Sequence, residues 1–367
     1  MEPPIEHSVK LIGPNRWALG HNFVCERAQG DVQDALAVWE IKGEAYHVRK
    51  GDFEAEWKAG SILEPFHRAV GPSALHLLGE NMVCKIVSMI PNQPSEMDIK
   101  RFVRQIEPDI PIPDDYFYQF DEEWERAFFI MERIPGPTLA EVWNDISLAQ
   151  MDQLVTELLG HVQKMLEHTA PLLSSPGGYG VCDGWLMGPH PEQEGLPHWK
   201  PIIAYPVCTA KQLRCHLEKI DFAKKNLTWD PAWQRDNTIF NFGHSDLTPT
   251  NIIVADTIAS KEHRGPRIKS ILDWECGGYY PLWWLWYKPS FCWTMDVPKL
   301  PRPYPRDKHP WMFRSTMAGC LKLWTDFDES ERIVREQENA LAAAREEEKS
   351  SDPSDPEALP DIGSLQC

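Results

Sequence analysis

A short polar island between two apolar runs constrains this chain more than any other feature. In FNFGHSDLTPTNIIV, residues 240–254, an apolar stretch ends at Gly243. His244, Asp246 and Asn251 follow before Ile252-Ile253-Val254 turns apolar again. Short apolar runs bounded by turn residues are the pattern of buried strands, so the polar trio is expected on a loop between strands. A second run, IKSILDW (268–274), ends the same way: Asp273 closes an apolar strand and Glu275 lies two places on. The polar stretch 257–266 reads as the turn joining the two strands, which brings both polar ends towards one cleft. His-x-Asp-x4-Asn alone could be a hydrogen-bonded turn, because Asp and Asn favour turns through their own backbone contacts. The second carboxylate, at the end of the next strand, favours a site.

Upstream, the sequence is strand-rich. EAYHVRKGDFEAEW (44–57) reads as strand, Lys-Gly-Asp turn and strand, and ALHLLGENMVCKIVSMI (74–90) as a hairpin about Gly79-Glu80-Asn81. Lys85 interrupts the apolar second strand of that hairpin; an edge strand can carry a lysine to discourage aggregation. SEMDIKRFVRQI (95–106) reads as a helix capped by Ser95, with Glu96 in its first turn, where the helix dipole also favours an acid. RAFFIMERI (126–134) is another apolar strand, closed by Pro135-Gly136-Pro137.

Beyond that point helical spacing takes over. Ser147 with Gln150 resembles a capping box opening a helix to about His168. Residues 174–205 are rich in Gly and Pro and read as a long ordered loop. Further helices are expected over 209–226, 283–293, 311–326 and 329–349. The expected organisation is a lobe at 1–133, a mainly helical lobe at 134–345 and an acidic disordered tail at 346–367, an α+β pattern.

Bulk properties exclude several classes. No apolar run approaches the ~18 residues of a membrane span, and MEPPIEHSVK lacks a basic region followed by an apolar stretch, so no membrane association and a cytoplasmic location are expected. The nine cysteines are widely spaced with no Cys-x-x-Cys pair, which argues against a disulfide framework or a structural zinc site. The net charge of -18 disfavours nucleic-acid binding and weakly favours a cationic small molecule.

The polar islands share one chemistry. Transfer of a phosphoryl group from ATP with Mg²⁺ needs a carboxylate for the acceptor's proton and oxygen ligands for a hard ion. It also needs a lysine for the phosphates and a carboxylate to hold that lysine. HSDLTPTN followed by ILDWE resembles the aminoglycoside phosphotransferase and choline kinase group, of fungal type, which has a protein-kinase-like two-lobe fold with a β-rich N-lobe and a mainly helical C-lobe. VCKIV, SEMDIKRFV, FIMERIPGPTL and DWECGGYYPLWW extend the resemblance in order over about residues 75–295. Ser245 stands where the family pattern has Gly, and no Gly-x-Gly-x-x-Gly loop is present.

The resemblance implies that Asp246 is the catalytic base and that His244 braces its loop. Asn251 and Asp273 would hold Mg²⁺, and Lys85 would bind phosphate with Glu96 as its partner. The backbone about Met131, Glu132 and Ile134 would contact adenine. Glu275 reads equally as a ligand or a solvated strand end, and Trp283, Trp284 and Trp286 as a core helix rather than a box for a quaternary ammonium ion. The expected function is an ATP- and Mg²⁺-dependent kinase acting on a hydroxyl of a small molecule, with acceptor contacts from 174–205 and the segment after Asp273. The alternative is an inactive kinase-like binding module. Neither the acceptor nor the oligomeric state is readable from the sequence.

Overall fold

The computed structural model describes residues 3–30, 32–68, 73–88, 95–142, 145–188, 204–219, 239–255 and 267–288. Six strands come first: Val9–Gly13 (β1), Arg16–Leu19 (β2), Phe23–Arg27 (β3), Ala35–Ile41 (β4), Glu44–Lys50 (β5) and, after the helix Glu54–Ala59 (α1), Ser61–Ile62 (β6). They form an antiparallel sheet in the order β4-β5-β3-β2-β1-β6. The β4–β5 turn is Lys42-Gly43, both with positive φ (52° and 79°), the backbone that a two-residue hairpin on twisted strands requires.

A second antiparallel sheet follows, built from His67–Arg68 (β7), Ser73–Leu78 (β8), Met82–Ser88 (β9), Asp115–Asp121 (β10) and Arg126–Glu132 (β11) in the order β10-β11-β9-β8-β7. The two sheets pack face to face. One core contains Val9, Trp17, Phe23 and Val48 of the first and Leu78, Met82, Cys84, Ile86, Phe128 and Ile130 of the second. Strand side chains alternate between faces, so the intervening residues point away from that core. Val83, Ala127, Phe129 and Met131 make a separate apolar layer there, and Lys85 shares its side of the sheet, opposite Leu75 and Phe129 in register.

Helix α2 (Glu96–Ile106) joins this unit to the remainder. Ser95 caps it by accepting the Asp98 amide at 3.1 Å. Ile99 and Val103 sink into the core of the following part, while Met97 packs on the layer beside Lys85. On another side Lys100 and Arg104 both bond Asp115 of β10, and Lys100 is 1% exposed. Gly277 permits the close approach of α2, since a Cβ there would meet Ile99 Cγ2 at 2.5 Å.

The later part contains α3 (Leu148–Leu166), β12 (Thr169–Ala170), α4 (Gly184–Met187), α5 (Ala210–Lys219), β13 (Phe240–Gly243), β14 (Ile252–Val254), β15 (Ile268–Ile271), β16 (Gly278–Tyr280) and α6 (Leu282–Tyr287). Ser147 and Gln150 form the expected capping box on α3. Strands β12, β13 and β16 form one small sheet, and β14 and β15 pair as a two-stranded antiparallel ladder. Among the described residues, no helix is long and apolar enough to cross a membrane.

One expectation differs. EAEW is helical rather than a strand: it lies in α1, where Asp52 Oδ1 accepts the Glu54 amide at 3.0 Å and Glu, Ala and Lys favour helix. Among the described residues after 134, five short strands accompany α3–α6 and carry the polar loops. The expected segments 311–326, 329–349 and 346–367 lie outside the described residues, as do residues 220–226 of the helix expected over 209–226.

Candidate active site

Lys85 is the point where the two parts meet. It lies on β9, the middle strand of its sheet, and is 5% exposed. Its ammonium donates to Glu96 Oε2 at 2.7 Å, to Asp273 Oδ1 at 2.5 Å and to Glu275 Oε2 at 3.0 Å. Burial alone would lower the lysine pKa, but the charges of Asp273, Glu275 and Glu96 outweigh it and hold the value well above normal, so the group is a fixed cation. Lys85 in turn draws Glu275 down, while Asp273 and burial push harder the other way and raise that carboxyl to about 7.

Carboxylate oxygens of Glu96, Asp273 and Glu275 lie within 4.8 Å of one another. The Lys85 ammonium, bonded to all three, already fills the space between them. Asp273 is held at φ 63°, ψ 61°, a left-handed conformation unusual for a non-glycine residue and frequent at functional sites.

The loop after β13 brings the remaining groups alongside. His244 is buried, and its Nδ1 accepts the Asp246 amide at 3.1 Å. Nε2 faces the Leu272 carbonyl at 2.8 Å and therefore carries the ring proton. Burial keeps the imidazole neutral by lowering its pKa to about 4, and the ring packs on Trp274 at 4.5 Å between centroids. One neutral histidine thus ties the Asp246 loop to the residue preceding Asp273.

Burial raises the Asp246 pKa, opposed by the charge of Lys288. Asn251 donates from Nδ2 to the Asp246 carbonyl at 3.0 Å and to Asp246 Oδ2 at 3.2 Å, so its Oδ1 takes no part in either bond. The Leu272 amide donates to the Asn251 carbonyl at 2.8 Å, so Asn251 and Asp273 sit at adjoining ends of β14 and β15.

Met131 and Glu132 end β11 on the sheet that bears Lys85, and Met131 belongs to the same apolar layer. The amides of Glu132 and Arg133 are committed to the Asp114 and Asn81 carbonyls at 2.8 and 2.9 Å. The Ile134 amide has no backbone acceptor among the described residues.

Sequence reasoning missed Asp183 and Lys288. Asp183 sits in the Gly- and Pro-rich stretch and caps α4, an ordinary place for an aspartate. Lys288 follows the tryptophan run at the end of α6. Both are buried and bonded at 3.0 Å, beside the Asp246 loop. Trp283 and Trp284 are core residues, as expected, at 5% and 0% exposure; the Trp286 side chain lies outside the described residues.

No protein-family model matches the sequence, and no curated protein matches it. Solved structures of aminoglycoside phosphotransferases are similar to it. The GDP and kanamycin complex of APH(2")-IIia is 14% identical, covering 79% of this chain and 93% of that one, with a TM-score of 0.40. The GDP complex of wild-type aminoglycoside 2'-phosphotransferase-IIIa is 12% identical, covering 71% and 82%, with a TM-score of 0.38. The streptomycin-ATP-APH(2")-IIa ternary complex is 13% identical, covering 60% and 69%, with a TM-score of 0.34. At these values the likeness assigns no residue of this chain.

Proposed function

We propose that this chain is a small-molecule kinase of protein-kinase-like architecture, which moves the γ-phosphoryl group of ATP to a hydroxyl acceptor. The observation that carries this reading is the buried Lys85 ammonium. It comes from the apolar-faced sheet and is gathered by Glu96 of α2 and by Asp273 and Glu275 from the later part. A purely structural lysine in a central strand has no need of three carboxylates, two of which are about one-third exposed.

In this reading Lys85 binds phosphate oxygens and Glu96 fixes its direction. The layer of Val83, Ala127, Phe129 and Met131 gives the adenine ring an apolar surface, and the Ile134 amide donates to its edge. Asn251 and Asp273 would hold Mg²⁺, which supplies charge neutralisation of the phosphates when bound. Asp246 takes the proton of the acceptor hydroxyl as the new O–P bond forms and the bridging O–P bond to ADP breaks. A carboxyl raised by burial is a better proton acceptor than an exposed one. His244, neutral and doubly bonded, holds Asp246 in place.

The test is ATP binding by calorimetry with and without Mg²⁺, for wild type and Asp273→Asn. Wild type should bind at least about tenfold more tightly with Mg²⁺, roughly 1.4 kcal/mol, and the variant should lose that gain while still binding free ATP. No nucleotide binding in either condition would leave an inactive scaffold as the reading.

A further inference from the structure

Asp183 takes no part in the chemistry just described, yet it is among the most fully bonded side chains beside it. It is 1% exposed. Its Oδ1 accepts the Trp185 and Leu186 amides at 3.1 and 3.2 Å, which caps α4. Its Oδ2 accepts the Ser245 hydroxyl at 2.9 Å, the Trp284 indole N–H at 2.8 Å and the Lys288 ammonium at 3.0 Å. A residue needed only to cap α4 would use one oxygen; the other collects two further segments of the chain. Gly243 lets α6 close on the loop, since a Cβ there would meet Leu285 at 2.7 Å.

Ser245 lies between His244 and Asp246 with φ 60°. Glycine would adopt that backbone without cost but would offer no handle. Serine is strained there and gains a hydroxyl, which donates to Asp183 and also neighbours the Tyr280 hydroxyl.

We infer that Asp183 is the positioning residue of the Asp246 loop: through the Ser245 hydroxyl it holds the left-handed turn that presents Asp246, and Trp284 and Lys288 hold Asp183 in turn. The catalytic part of this inference rests on Asp246 being the base; the positional part does not. His244 braces the loop through Leu272, and Asp183 links it to α4 and α6.

Because Asp183→Asn removes the buried carboxylate that Lys288 bonds and can fail to fold, Ser245→Ala and Ser245→Gly are the primary variants. Amide hydrogen exchange is read by mass spectrometry over 244–251, with β9, β11 and α3 as internal references. Both variants should exchange about tenfold faster or more in the loop alone, which reports local opening rather than lower global stability. Phosphate release from MgATP with water as acceptor should fall about tenfold or more at saturation, with KM for MgATP within about twofold, because misplacement of a reacting group costs turnover rather than ground-state binding. Unchanged loop exchange, exchange raised equally in β9, β11 and α3, or a Ser245→Gly protein that behaves as wild type overturns the inference. A wild type that binds no MgATP overturns the kinase reading instead, and the exchange result still decides the role of Asp183.

Discussion

Lys85 shows how one side chain can read two ways in sequence and one way in three dimensions. A lysine within an apolar strand suits an exposed edge, but β9 is the central strand of five, so its charge must be met inside the protein. Lys85→Met would leave Glu96, Asp273 and Glu275 facing one another without the ammonium. We expect a loss of about 3 kcal/mol, part of which Mg²⁺ restores by supplying the missing positive charge. Thermal melts with and without Mg²⁺ should therefore show a larger metal-induced rise in the variant than in wild type.

His76 gives a pH prediction. It is fully buried on β8, and burial lowers its pKa from 6.5 to about 4. The unfolded chain therefore binds the proton first. The stabilising contribution is complete above about pH 6.5, falls as pH drops towards 4 and is level below that. His76→Leu should reduce the stability difference between about pH 7 and pH 4.5 by about 2 kcal/mol, measured as urea midpoints. At this scale Asp246, Asn251, Asp273 and Lys85 were legible because each breaks an apolar pattern locally. Asp183 was not, since its partners Ser245, Trp284 and Lys288 are 62, 101 and 105 residues away and an aspartate before glycine looks like any turn.

Among the elements, capping chemistry and most strands were readable, and EAEW was not. The Ser147–Gln150 box is a local signal and forms as expected, with the Ser147 amide bonded to Gln150 Oε1 at 2.9 Å. Ser147→Ala should cost about 1 kcal/mol of stability in chemical denaturation, and Ser147→Asp should retain most of it. EAEW misled because Trp and alternating charge resemble a strand face; the turn in which Asp52 Oδ1 accepts the Glu54 amide and the packing of Trp57 on Trp124, 5.2 Å between centroids, favour the helix. Helix α2 carries a further expectation. Lys100 is buried against Asp115, which also binds Arg104 at 2.8 Å. Asp115→Asn would strand the Lys100 charge and cost about 3 kcal/mol. It should also weaken MgATP binding, because Glu96 is carried by the same helix.

For the molecule as a whole, the first sheet is the part that resemblance left unread. Residues 1–70 had no counterpart in the motif order, yet they supply one wall of a shared core. Motifs mark where chemistry is placed, whereas a covering sheet needs only alternating apolar residues and turns, which many sequences satisfy. A chain beginning at residue 63 would uncover Leu78, Met82, Cys84, Ile86, Phe128 and Ile130 on one face. An apolar patch of that kind drives association, so the truncated protein should pellet on sedimentation while the full chain stays in the supernatant.

The same sandwich sets a schedule for biosynthesis. Strands β1–β5 reach the ribosome exit before β8–β11, the strands that close their inner face, have been made. At about 5–20 residues per second, that wall stays bare for several seconds in every round of translation. Holdase chaperones that bind apolar strands, and pauses placed between the codons for β5 and β11, therefore bear directly on how much of this protein a cell recovers.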